Sequence, residues 1–188
     1  MRLLCLHGAP GVGKLSVARE LRVLTDAILV HDHLIIDAAT SVFSFGTTGF
    51  SKLRSLLFAR LLDAAVATRS EIIVTHADDV FWAPPFDALL ESAANSGYEI
   101  LHVLLVCDEA EHGRRISNPS RARYQKITDI ERLQRLVAAG EFEPLSPDRA
   151  DIVLDTTNLL PSNTASILHE WARPSEGRAV RASLWRGK

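Results

Sequence analysis

The residues Gly8, Gly11, Gly13 and Lys14, in the order G-x-x-G-x-G-K, constrain this chain more than any other feature of it. They follow the apolar run Leu3 to Leu6 directly and precede a stretch of helical spacing, so they occupy a strand-to-helix turn. Glycines at such a turn let the backbone fold back tightly, and successive N–H groups then converge on one point. The following helix adds its positive end, and the Lys14 ammonium completes a cradle for an anion. The segment Gly8, Ala9, Pro10, Gly11, Val12, Gly13, Lys14, Leu15 and Ser16 is therefore read as a loop that holds the β- and γ-phosphates of a nucleotide. An ordinary glycine-rich turn is the plainer alternative, but it does not call for the motif, the strand and the helix together.

Four further apolar runs, Ala27 to Val30, Ile72 to Val74, Ile100 to Val106 and Ile152 to Leu154, do not alternate with polar residues. That is the pattern of strands buried on both faces. Helical spacing fills the intervals: Val17, Leu21 and Leu24; Leu53, Leu57 and Leu61; Phe86, Leu89, Leu90 and Ala93 before Gly97. Thr128 and Glu131 form a capping-box pattern ahead of Ile130, Leu133 and Val137, with Gly140 as the stop. Strands and helices alternating in this way predict an α/β fold with a parallel sheet covered on both faces.

At 188 residues, 47% of them hydrophobic, the chain is expected to form one domain over residues 1–173, with a mobile tail at 174–188. Its 21 basic and 23 acidic residues leave a formal net charge of −2, so no nucleic-acid or membrane partner is expected. Cys5 and Cys107 lie in apolar runs, and the N-terminal run is too short for a signal peptide, so the expected setting is reducing and cytoplasmic.

Leu15 stands where a phosphate loop usually offers a hydroxyl to Mg²⁺, and Ser16 follows it. In this the loop resembles that of nucleoside-monophosphate kinases, G-x-P-G-x-G-K-G-T, which Pro10 and Ser16 fit. Over residues 1–172 the chain resembles the adenylate, cytidylate and shikimate kinase group of P-loop kinases. Within that group it is most similar to a branch in which H-x-H-L-x-I-D, here His31 to Asp37, follows the second strand and a Ser-Arg segment forms the lid. The resemblance implies a three-layer P-loop sandwich with a five-stranded parallel sheet of order 2-3-1-4-5 and a short basic lid at about residues 114–127. It also implies that the turn containing Asn158 sits beside the adenine base.

Asp32 begins where the second strand should end, at the carboxyl edge where ligands bind in open α/β folds. It is the candidate general base toward an acceptor hydroxyl and a candidate Mg²⁺ ligand with Ser16; the alternative is a cap for a helix starting near Leu34. His31, His33 and His76 are read as polar lining of an acceptor pocket, with a metal site as the minority alternative. The aromatic and small residues from Phe43 to Phe50 suggest a flap, and Arg54 and Arg60 either reach the acceptor or are solvated. At the end of the third strand Thr75 and His76 replace the expected acid, leaving Asp78 either near Mg²⁺ or opening a loop with Asp79. Arg114, Arg115, Arg121, Arg123 and Lys126 form the basic segment of the lid, with Arg115 and Arg121 the expected catalytic cations; a solvated basic loop is the alternative.

These residues make an ATP-dependent phosphotransferase with Mg²⁺ and a small hydroxyl- or phosphate-bearing acceptor the first expectation. A regulatory ATPase or GTPase module, using the nucleotide as a conformational signal, is the second. The catalytic set expected is Lys14, Asp32, Arg115 and Arg121, with Arg114 and Asn158 on the nucleotide.

Overall fold

The apolar runs fold as strands because helices cover both of their faces. The computed structural model describes residues 1–78, 83–119, 121, 127–143, 145–173 and 182–185. In chain order its elements are β1 (Arg2–His7), α1 (Lys14–Thr25), β2 (Ile28–His31), α2 (Asp32–Thr40), α3 (Thr48–Ala67), β3 (Ile72–Thr75), α4 (Ala83–Asn95), β4 (Glu99–Val106), α5 (Glu109–Ile116), α6 (Ile130–Ala138), β5 (Ile152–Asp155), α7 (Pro161–Ala172) and β6 (Ala182–Trp185). Successive β1 side chains point to opposite faces, as the pleat requires. Leu4 and Leu6 join Val17, Leu21 and Leu168 on the α1/α7 face, while Leu3 and Cys5 join Ile35, Phe58 and Phe86 on the α2/α3/α4 face.

All pairings in the sheet are parallel, and its order is β2-β3-β1-β4-β5-β6. The expected order 2-3-1-4-5 is present, and β6 extends it on the free edge of β5, with Ala182 opposite Ile152. This strand falls in the stretch read from sequence as a mobile tail. Asp79, Trp82, Arg123 and Lys126 lie outside the described residues, as does the remainder of the tail. The order places the ends of β1, β2 and β3 side by side, which gathers the phosphate loop, His31–Asp32 and His76 at one sheet edge.

Three local expectations change. Helix α6 is capped by Asp129, whose carboxylate accepts from the Glu131 and Arg132 amides, and not by Thr128 one residue earlier. The last three residues of the expected flap are helix: Thr47 caps α3, and Phe50 in its first turn is buried, packing on the exposed Phe45 at 4.8 Å. Helix α2 begins at Asp32 itself, so its N-cap position falls to His31, which makes no side-chain capping bond. Both cysteines are free thiols, Cys5 fully buried and Cys107 half-buried, and burial raises the pKa of each. No described helix is long and apolar enough to cross a membrane.

Phe58 is 0% exposed at the centre of the α2/α3/α4 face, whereas Val23 on α1 is 82% exposed. Truncating Phe58 to alanine is expected to lower stability by about 3–5 kcal/mol in urea unfolding, and Val23→Ala to change it by less than about 0.5 kcal/mol.

Candidate active site

The geometry of the phosphate loop depends on what its glycines exclude. Gly8 has φ 128°, and a Cβ there would lie 2.4 Å from the Leu105 carbonyl oxygen of β4, a backbone atom that cannot step aside. Gly13, at φ 104°, is the left-handed residue that starts α1, and no side chain caps that helix. Its first-turn amides are thus open to an anion. Lys14 folds over the loop, its Nζ donating to the carbonyl oxygens of Gly8 and Ala9, the latter at 2.9 Å. A concave backbone turn that no side chain can fill, with an ammonium across it, fits a nucleotide phosphate.

Behind the loop lies Asp78, at φ 54° and with its side chain 4% exposed. Its Oδ1 accepts from His7 Nδ1 at 2.8 Å and faces His76 Nδ1 at 3.2 Å, and its Oδ2 accepts from the Gly8 amide at 2.8 Å and the Leu145 amide at 3.3 Å. Burial works to raise the pKa of this carboxyl, but the hydrogen bonds from His7 and His76 overcome it and hold the group well below the usual carboxylate range. Asp78 does not line the cavity in front of the loop. The structure therefore gives its oxygens to the loop's support, where the sequence suggested Mg²⁺. His7 Nε2 continues the network to His102 Nδ1 at 3.0 Å.

Arg115 is placed differently from the expectation of a phosphate-facing lid cation. Its Nη1 donates to the carbonyl of Val12 and the hydroxyl of Thr156, both at 2.9 Å, its Nη2 to the Thr156 carbonyl at 2.6 Å, and its Nε to Glu111 at 2.7 Å. It ties the phosphate loop to the turn after β5. On the same face of α5, His112 donates from Nε2 to the Pro10 carbonyl at 2.7 Å, and Ile116 is fully buried. The spacing 112, 115, 116 is the i, i+3, i+4 signature of a helix face, a signal present in the sequence that the charge pattern obscured. Arg114, its side chain 71% exposed, and Arg115 together hold the Glu111 carboxyl down to about 2. Arg121 donates from Nε to the Ile127 carbonyl at 2.9 Å, and burial lowers its pKa from the ordinary guanidinium value.

Across from the loop, Arg54 of α3 donates to Asp32 Oδ1 at 3.1 Å, both side chains being 11% exposed. Arg60 instead faces solvent and pairs with Asp63 at 3.8 Å. Strand β2 ends at His31, so His31 and His33 do not share a strand face, and their ring centroids are 6.2 Å apart. Among the described residues, the metal-sized groups of ligand atoms are Cys5–His7–His102 and His7–His76–Asp78, and neither contains His31 or His33.

A cavity of about 760 Å³ brings these parts together, a volume that suits a small-molecule site. Pro10 to Ser16, Asp32, Arg54, Arg114, Arg115, Arg121 and Asn158 line it, with His33 and His76, while Gly8 and Ala9 do not.

No protein-family model matches the sequence, and no curated protein does. Solved structures do resemble the fold. An unliganded sugar kinase from a Janibacter species superposes with a TM-score of 0.62 at 19% identity, over 91% of this chain and 94% of that one. The APS kinase of Mycobacterium tuberculosis, in complex with AMPPNP and APS, gives 0.60 at 14% identity, over 90% and 95%. The shikimate kinase of Acinetobacter baumannii, in complex with shikimate, gives 0.58 at 17%, over 91% and 92%. The chain has the P-loop kinase fold.

The Arg115 contacts separate a structural clamp from a phosphate ligand. Arg115→Lys keeps the charge but loses the planar fork that reaches four acceptors at once, so stability is expected to fall by about 1–3 kcal/mol in urea unfolding. An equally stable variant with weakened nucleotide binding would instead put the charge on the phosphates.

Proposed function

We propose that the protein is an ATP-dependent phosphotransferase acting on a small hydroxyl- or phosphate-bearing acceptor. One observation carries this reading: the Lys14 loop and the Asp32–Arg54 pair line the same cavity. In such transfer there is little covalent chemistry for the protein to perform, and catalysis is mostly positioning and charge stabilisation. Lys14 would leave the Gly8 and Ala9 carbonyls for the β- and γ-phosphates. Arg121, partly desolvated at the cavity, would meet the charge that spreads over the transferring group. Arg54 would hold an anionic or hydroxyl group of the acceptor, with Asp32 fixing its direction. Mg²⁺, when bound, would supply charge neutralisation for the phosphates, and Ser16 and Asp32 would hold it, directly or through water. The turn at Asn158 would flank the base. The kinases that share the fold act on small molecules and one binds a nucleotide analogue, which supports the class of reaction without naming the acceptor. A cytoplasmic setting belongs to the same proposal.

A regulatory nucleotide-binding module is the second reading. It is favoured by Leu15 at the usual hydroxyl position and by the absence of an acid at Thr75 or His76. A nucleotide and acceptor screen separates the two, because the module would be stabilised by nucleotide yet show no acceptor-dependent ADP release.

Lys14→Ala is expected to cut acceptor-dependent ADP release by more than about a hundredfold while the protein stays folded. Unchanged turnover in the folded variant would remove the proposal. Asp32→Asn keeps the shape and loses the charge that orients Arg54. It should lower the acceptor-dependent kcat by about a hundredfold, with nucleotide affinity nearly unchanged in calorimetry, since a misplaced acceptor costs rate and not ground-state ATP binding.

A further inference from the structure

The two-residue period of β1 sets Cys5 and His7 on one face of the sheet, the face that Leu3 shares and that α2, α3 and α4 cover. In the parallel register Cys5 stands opposite His102 of β4, whose side chain falls on the same side as Ile100 and away from Leu101 and Val103. Two adjacent strands thus bring a thiol and two imidazoles to one spot behind the phosphate loop, since Gly8 follows His7. The Cys5 Sγ and one ring nitrogen from each histidine all lie within 4.8 Å of one another.

The nitrogens that face each other are His7 Nε2 and His102 Nδ1, 3.0 Å apart. His7 Nδ1 is held by Asp78 Oδ1 at 2.8 Å. A histidine that gives one ring nitrogen to a carboxylate presents a lone pair on the other, and this is the usual support behind a metal-binding imidazole. Zinc–nitrogen bonds of about 2.0–2.1 Å at tetrahedral angles put two nitrogens roughly 3.3 Å apart, so the rings need part by only about a few tenths of an ångström to admit an ion. Burial first, and then the charges of Asp78 and Asp87, raise the pKa of the Cys5 thiol, while Lys14 opposes them. Surroundings that resist a thiolate through negative charge favour a cation, and a coordinated thiol gives up its proton outright. His102 is the half-buried member of the three and offers the way in. The neighbouring group, His7–His76–Asp78, is the poorer candidate: His7 Nδ1 is spent on Asp78 Oδ1, and His76 Nδ1 lies 3.2 Å from that oxygen and 3.1 Å from the Asp78 amide.

We propose that Cys5 Sγ, His7 Nε2 and His102 Nδ1 bind a zinc ion behind the phosphate loop. On binding, the thiol proton is released to water and His102 carries its proton on Nε2, so one proton leaves for each ion bound. Three protein ligands leave the fourth corner of the tetrahedron to water. None of the three lines the cavity in front of the loop, so the ion is a brace that ties β1 to β4 at the base of the loop and not a partner of the nucleotide. The site goes beyond the phosphotransferase reading and does not depend on it.

Cobalt(II) is the probe, because it takes zinc's tetrahedral geometry and absorbs light. Wild-type protein, freed of metal by a chelator and kept reduced with a phosphine, should take up one equivalent, with intense visible bands of a tetrahedral ion and a thiolate-to-cobalt charge-transfer band in the near ultraviolet. Added zinc should bleach both. Cys5→Ser should lose the charge-transfer band, Cys107→Ser should keep it, and His102→Gln should weaken cobalt binding by about tenfold to a hundredfold or more. Should Cys5→Ser fail to fold, the band in the wild type and its response to Cys107→Ser and His102→Gln still decide. Wild-type protein that takes up no cobalt, a charge-transfer band lost in Cys107→Ser, or binding unchanged in His102→Gln would each overturn the site. Visible bands with no thiolate band would do the same, since they would place the ion at His7–His76–Asp78.

Discussion

The Asp78 carboxylate accepts from His7 and from the amides of Gly8 and Leu145, and His76 stands at its remaining side. An anion withdrawn from water costs several kcal/mol unless donors surround it, so these partners are obligatory wherever Asp78 is buried. They come from the end of β1, the first amide of the phosphate loop, the end of β3, and the segment that returns from α6 toward β5. One charge therefore fixes the relative position of four pieces of chain. The Glu143 amide adds a fifth contact, donating to the Asp78 carbonyl at 2.9 Å. Because the return from α6 and the loop's first amide share an anion, a shift of Glu143 or Leu145 is felt directly at Gly8. The left-handed backbone of Asp78 at φ 54° suits this position, since Asp tolerates that conformation better than branched residues do.

The hydrogen-bond donors around the site divide into two kinds. Arg115 and His112 spend their donors on carbonyl oxygens of the phosphate loop and the turn after β5, and so hold the walls of the cavity. Lys14, Arg54 and Arg121 line the cavity itself. On the phosphotransferase reading, a protein with a formal net charge of −2 has no general field to draw a polyanion, so this local group would supply the attraction. A clamp that uses up its hydrogen bonds inside the protein also stays put when the ligand leaves. That would keep the cavity preformed, and on the phosphotransferase reading preformed charge would lower the barrier without reorganisation at the moment of reaction.

What the sequence revealed follows from how local each feature is. The phosphate loop is legible because seven consecutive residues determine its turn, its anion cradle and its helix start. The strands are legible because burial on both faces removes polar residues from each run. Their order is not, since Ile72 to Val74 reads the same at an edge or beside β1; resemblance to known kinases supplied it. Asp78 reads as a loop acid because nothing near it reveals that Leu145, 67 residues away, completes its shell. Arg115 and Arg114 are adjacent and identical in type, and only the helix face that each occupies separates a clamp from a solvent-facing partner of Glu111. Strand β6 was missed because its four residues, Ala182 to Trp185, are too short a run to stand out in a stretch that is otherwise polar and basic.

The metal requirement narrows by the same reasoning. Once Asp78 is committed behind the loop and β3 ends in Thr75 and His76, the protein oxygens facing the cavity from these elements are few, with Ser16 on α1 and Asp32 on α2 the ones left near the loop. Asp32 also answers to Arg54, whose charge opposes a second cation at the same carboxylate. On the phosphotransferase reading, a hard divalent ion would therefore find little to hold it in the empty protein and would enter with the nucleotide, whose phosphates and bound water complete its octahedron. Leu15 fits that arrangement. It removes one hydroxyl from a shell that the substrate, and not the protein, mostly provides.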